Sequence, residues 1–281
     1  MQVRFATGFL FSLKKIIIIT NDLSLPHVIK TIYPHIRIIE FNACANESMV
    51  LIENRQNLYN VKYKNFEYSG LTNEGLYYFL YEIFQVIIED QMISNSVSVF
   101  HGSCVERKGK AYVFAAKTNT GKSTLVTELV RMNYKYVSDD YAILDETGHR
   151  IVPLHLPIKL RSLAPLSGNI ADLVIVRDYN PMRDENYYLI RPKLYSPQTP
   201  VEFQAFFQIN RNDNINRITM LDYKESYKTL ILNSKIPERE AVRRLNSLAI
   251  SLVKSVKVYN IDYISTADCI EMFETIAKKM N

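Results

Sequence analysis

The run Ala116-Lys117-Thr118-Asn119-Thr120-Gly121-Lys122-Ser123-Thr124 places a glycine, a lysine and a hydroxyl side by side, directly after an apolar stretch from Tyr112 to Ala115. A strand, a loop and a helix start in this order form a cradle for phosphate. The backbone N–H groups of residues 116 to 124 wrap phosphate oxygens, and the helix N-terminus adds partial positive charge. In that geometry Lys122 reaches the β and γ oxygens of a nucleotide and the Ser123 hydroxyl serves Mg²⁺. One position departs from the usual pattern, because Ala116 stands where a first glycine is common. Alanine is acceptable there at negative φ, since the tight approach to the ligand falls at Gly121.

Phosphate binding alone describes many NTPases, so the neighbouring residues decide the chemistry. Asp139 and Asp140 follow at the end of a strand expected around Tyr136. Two adjacent carboxylates near such a loop can divide the work, one toward Mg²⁺ or its waters and the other toward an incoming hydroxyl. Away from a phosphate loop the same pair would read as a solvated turn. His101 with Gly102 precedes the strand that leads into the loop, and a lone histidine is more often a packed or surface residue than a catalyst.

These residues need a scaffold, and the 281-residue chain has 47% hydrophobic and 22% charged residues, enough for a sizeable core. The net charge of +5 is interspersed, so no basic face for nucleic acid is expected. Cys44, Cys104 and Cys269 are too far apart for a Cys-x-x-Cys site or a disulfide framework, which suits a cytoplasmic protein. Phe9 to Leu13 is too short for a signal core, and no membrane span is expected.

Lys15 to Thr20, Arg37 to Asn42, Met49 to Glu53 and Leu58 to Tyr68 read as strands, with a short helix from Pro26 to Tyr33. Leu71 to Met92 has helical spacing, with Thr72 and Glu74 at its start, and reads as a connector or a buried helix. Further strands are expected at Val201 to Ile209 and Val256 to Ile261, and helices after Pro237 and from Ala267 to Lys279. Arg177 to Lys193, polar and bearing Pro181 and Pro192, reads as an exposed loop. Tyr77, Tyr78, Tyr187 and Tyr188 read as packing or surface residues, and Arg239, Arg243 and Arg244 as a solvated face.

The order His101-Gly-Ser-Cys-Val, a Lys-Gly-Lys turn, the Ala116 to Ser123 loop, the helix from Thr124 to Val130 and Tyr136-Val-Ser-Asp-Asp140 resembles the catalytic core of HPr kinase/phosphorylase and its stand-alone serine kinase relatives found beside peptide-tailoring genes. The resemblance covers residues 97 to 155 well and the C-terminal part in outline. It implies an α/β fold: a P-loop kinase domain of the HPr kinase/PEP carboxykinase-like type at 96–281, preceded by a small, β-rich α+β domain at 1–95. It implies ATP and Mg²⁺ as cofactors, Lys122 on the β/γ phosphates, Ser123 on the metal, Asp139 supporting the metal or the loop, Asp140 as the base and His101 assisting. The acceptor it implies is a serine hydroxyl of a peptide or small molecule. The related carrier-protein kinases are hexameric, which suggests a homo-oligomer.

The chain departs from the bifunctional members, whose Glu-Ile-Arg-Gly-Leu-Gly stretch is matched here by Leu156-Pro-Ile-Lys-Leu-Arg161 without a glutamate. The phosphorylase reaction and HPr as partner are therefore not carried over. Lys159 and Arg161 are candidates to meet an anionic group instead. The alternatives are a nucleotide-binding regulatory protein without phosphotransfer and a motor-like ATPase. The latter lacks an apolar strand ending in Asp-Glu to hold an attacking water.

Overall fold

A computed structural model describes residues 5–11, 14–34, 37–39, 48–94, 98–145, 147–168, 173–180, 185–235 and 239–280. The elements run β1 (Phe5–Phe11), β2 (Lys14–Thr20), α1 (Leu25–Ile32), β3 (Arg37–Ile39), β4 (Ser48–Arg55), β5 (Leu58–Tyr63), β6 (Phe66–Leu71), α2 (Asn73–Ser94), β7 (Val99–Arg107) and β8 (Lys110–Ala115). They continue as α3 (Lys122–Arg131), β9 (Lys135–Ser138), β10 (Tyr141–Leu144), β11 (Arg150–Val152), β12 (Ile158–Leu160), β13 (Val174–Asn180), β14 (Glu185–Ile190) and β15 (Val201–Arg211). The chain closes with β16 (Arg217–Met220), α4 (Tyr223–Leu232), β17 (Ser234–Lys235), α5 (Arg239–Ser255), β18 (Lys257–Tyr263) and α6 (Thr266–Met280). Two compact units divide this mixed α/β chain, one formed by Met1–Asp90 with Val174–Arg191 and the other by Gln91–Leu173 with Pro192–Asn281.

In the first unit a six-stranded sheet has the order β3-β1-β2-β4-β5-β6. The expected strand from Leu58 to Tyr68 is instead a hairpin, because Lys64 turns the chain at φ 51° and lets Tyr63 pair with Phe66. Arg37–Ile39, the first half of the expected segment Arg37 to Asn42, is β3; residues 40–42, like Cys44, lie outside those described. Thr72 caps α2, its Oγ1 accepting from the Gly75 amide at 3.2 Å. Leu76, Leu80, Ile83, Phe84 and Ile87 bury α2 in this unit, so it is a core helix rather than a bare connector. The segment expected as an exposed loop over Arg177 to Lys193 is largely strand, β13 and β14 pairing antiparallel from Val174↔Ile190 to Asn180↔Glu185. Tyr187 and Leu189 alternate inward there, and Tyr187 packs 3.9 Å from the ring of Tyr78. The β-branched and aromatic residues outweigh the charges and prolines that suggested a loop.

In the second unit the sheet order is β11-β10-β7-β8-β15-β18-β16, with β9 and β17 also on β7. β8, β15 and β18 are parallel, while β7 is antiparallel to β8 and to β9. Therefore β8-α3-β9 is a parallel crossover with β7 lying between its two strands. Alternation along β8 sends Ala111, Val113 and Ala115 to one face, against Phe203, Phe206, Leu230 of α4 and Ala249 and Leu252 of α5. Tyr112 and Phe114 go to the other, where Phe114, Phe207 and Phe273 of α6 form a ring cluster with centroids 5.0–5.4 Å apart. A fully buried phenylalanine such as Phe114 is worth about 3–5 kcal/mol against alanine. The sheet is thus covered on both faces, as parallel strands require. β16, α4 and β17 were not anticipated from the sequence. Among the described residues no helix is long and apolar enough to cross a membrane, and Cys104 and Cys269 are buried free thiols.

Candidate functional site

The site lies at the start of α3. That helix forms because Leu125, Val126, Leu129 and Val130 recur at helical spacing and all are buried. Gly121 precedes it at φ 103°, a left-handed conformation that disfavours any side chain. Among the described residues no side-chain hydrogen bond caps this end and no acidic residue lies in its first turn, so the helix start keeps its partial positive charge for the groups around it.

Ala116 is buried while Lys117, Thr118 and Asn119 are exposed, and Thr120, Gly121, Ser123 and Thr124 are half-buried. The loop is held at several points. Thr120 N donates to Lys117 O at 3.3 Å, Arg161 Nη1 donates to Asn119 Oδ1 at 2.5 Å, and the Tyr263 hydroxyl at the end of β18 donates to the Thr120 carbonyl. Burial pushes the Tyr263 phenol up to about 12, which keeps it a donor. Lys159 stands half-buried on β12.

Lys122 is 7% exposed, with Nζ donating to Ala116 O at 3.2 Å and lying 3.4 Å from His101 Nε2. Burial lowers its pKa, against the pull of Asp140 and Asp139. Its neighbour Ser123 donates from Oγ to Asp139 Oδ1 at 3.2 Å, and Ser103 Oγ donates to the same oxygen at 2.5 Å. Asp139 is 2% exposed, and its second oxygen, Oδ2, is buried without a hydrogen-bond partner among the described residues. Burial, and then the charge of Asp140, pushes the Asp139 carboxyl up to about 7.

Asp140 sits in the bend between β9 and β10 at φ 63°, a left-handed conformation that aspartate tolerates better than most residues. β7 carries His101 and Ser103 on one face, two residues apart, while Gly102 faces the other, where an added Cβ would meet Phe114 O at 2.9 Å. His101 Nδ1 lies 3.2 Å from Asp140 O. Burial and then Lys122 lower the imidazole pKa.

The structure therefore brings together His101, Lys122, Ser123, Asp139 and Asp140. Three further residues join them. Ser103 could have been found from the two-residue period of a strand through His101. Tyr263 and Lys235 arrive through long-range pairing that leaves no local signal. Among the described residues no cluster of three or more His, Cys, Asp or Glu side chains is placed to hold a metal by itself.

No family model matches the chain, and no curated protein matches it. Among solved structures it is similar to the Hpr(Ser) kinase/phosphatase from Coxiella burnetii, at 12% identity and a TM-score of 0.32, over 64% of this chain and 94% of that chain. With similarity at that level, function has to be read from the site itself.

Proposed function

We propose that the chain is an ATP- and Mg²⁺-dependent kinase that transfers the γ-phosphoryl group to a hydroxyl, with the serine of a peptide or a small molecule as acceptor. The observation that carries this reading is the convergence of Lys122 Nζ, Ser123 Oγ, Asp139, Asp140 and His101 on the uncapped start of α3.

The donor set fits Mg²⁺. Asp139 Oδ2 is a buried carboxylate oxygen lacking a partner among the described residues, and Ser123 Oγ approaches the same carboxylate. A hard cation offered one carboxylate and one hydroxyl takes its remaining ligands from phosphate and water. Asp139 and Ser123 would hold Mg²⁺, which would offset the charge on the transferring group.

The chain's own residues do the rest. N–H groups of residues 116–124 hold the phosphates, and Lys122 turns from Ala116 O to the β/γ oxygens. Ser103 fixes the Asp139 carboxylate through its Oγ. Asp140 takes the proton of the acceptor hydroxyl as that oxygen bonds to the γ phosphorus, and the bond from phosphorus to the bridging β–γ oxygen breaks to release ADP. His101 assists as a neutral imidazole beside both. Residues 1–95 and the β13–β14 hairpin are proposed to select the acceptor, since specificity commonly resides outside the phosphate site.

The test is incubation of the purified protein with γ-labelled ATP, Mg²⁺, serine-containing peptides and free serine, with Asp140→Asn alongside. Label in one acceptor, with the unmutated protein only, supports the reading. Tight nucleotide binding without transfer to any acceptor would favour a regulatory nucleotide-binding protein.

A further inference from the structure

β17 is a two-residue strand lying antiparallel against β7, with Ser234 opposite Phe100 and Lys235 opposite Val99. Residues opposed across a ladder share a face, as do residues two apart on a strand. Lys235 and His101 therefore leave the sheet on the same side. Across the other edge of β7, His101 is opposite Tyr141, and Lys235 Nζ lies 4.3 Å from the centroid of the Tyr141 ring. The lysine thus crosses β7 beside His101 and ends over the residue that follows Asp140.

This position is built into the fold. The His101 amide donates to Asn233 O at 2.8 Å, Asn233 Nδ2 donates to Gln208 Oε1 at 2.7 Å, and Ser234 Oγ donates to Leu230 O at 2.6 Å. After burial and nearer charges, Lys235 also lowers the pKa of both His101 and Lys122. Two ammonium groups directed at one partly buried site disfavour each other, and a multiply charged anion relieves that cost.

We infer that Lys235 binds the terminal phosphoryl group of a nucleoside triphosphate from the His101 side, opposite the phosphate loop, so that Lys122 and Lys235 grip the transferring group between them. The inference rests on the nucleotide-binding reading above and deepens it. Lys122 follows the β and γ phosphates, whereas Lys235 answers only to the γ group. It distinguishes triphosphate from diphosphate and lets ADP leave after transfer.

The test is calorimetric titration of the full-length protein with a non-hydrolysable ATP analogue and with ADP, both with Mg²⁺, for the unmutated chain, Lys235→Met and Lys235→Arg. Loss of one charge-assisted contact weakens triphosphate binding about tenfold in Lys235→Met and diphosphate binding less than about twofold, while Lys235→Arg keeps the triphosphate preference. Equal weakening for both nucleotides, as a structural or general electrostatic role would give, overturns the inference, as does no change in either. Failure of the unmutated chain to bind either nucleotide overturns the phosphate-loop reading as well, which separates the two failures. Thermal melts of both variants identify a folding defect; where Lys235→Met has one, the Lys235→Arg titration decides: retained triphosphate preference supports the contact, and loss of that preference overturns it.

Discussion

His101 Nδ1 lies 3.2 Å from the backbone carbonyl oxygen of Asp140. A carbonyl only accepts, so Nδ1 bears the hydrogen and Nε2 offers its lone pair toward Lys122. With burial and Lys122 holding its pKa below the ordinary value, the ring is a neutral acceptor at pH 7. His101→Gln is expected to lower phosphotransfer about 10²-fold while nucleotide binding stays close to that of the unmutated chain. Single-turnover transfer measured beside nucleotide titration checks this, and unchanged transfer would remove His101 from the chemistry.

Asp139 gives the site a pH signature of its own. Its carboxyl stands at about 7 in the folded chain against an ordinary 3.8. The folded state therefore binds more protons than the unfolded state between about pH 4 and pH 7, and stability falls as pH rises through that window. Asp139→Asn removes this contribution. Between pH 5 and pH 8, without divalent cations, the melting temperature of the unmutated protein is expected to drop more than that of the variant; parallel curves would count against the buried, unpaired carboxylate.

Tyr263 supplies the donor that the Thr120 carbonyl uses, and it also lies 3.2 Å from where a Cβ on Gly121 would be. Tyr263→Phe keeps the packed ring and deletes the donor. The lost hydrogen bond is worth about 1 kcal/mol, so nucleotide affinity is expected to fall about fivefold with little change in melting temperature. An unaltered affinity would show that the loop needs no such anchor.

The first unit carries an opposite pH dependence. Burial raises the pKa of Asp22, but hydrogen bonds from the Ser24 hydroxyl, Asn54, the Ser24 amide and Tyr59 outweigh it and bring the carboxyl to about 2. A depressed acid stabilises the fold above the unfolded value of 3.8, and that stability is lost as pH falls toward 2. Asp22→Asn is expected to flatten the acid limb of unfolding followed by circular dichroism between pH 5 and pH 2.

Much of the site could be read from residues 112 to 140, because there the signals are local. A two-residue period in β8 gives way to helical spacing in α3, with glycine at the junction, and Asp139 follows at the end of the next strand. Lys235 and Tyr263 could not be read this way, since each reaches the site through a strand pairing distant in sequence. In β14 the inward alternation of Tyr187 and Leu189 was masked by flanking charges and prolines. At Lys64 a residue without turn preference adopts a left-handed turn, so one expected strand became two.

β7 has a consequence for the order in which the protein becomes competent. It pairs with β8 locally, but also with β9, β10 and β17, which come from increasingly remote parts of the chain. Contacts between remote segments close late during folding, because loop closure must precede them. The phosphate loop can form early with β8 and α3, whereas the full set of charges around His101 waits for the last strand to dock. On refolding, the preference for triphosphate over diphosphate recovers with the slowest phase, after most secondary structure has returned.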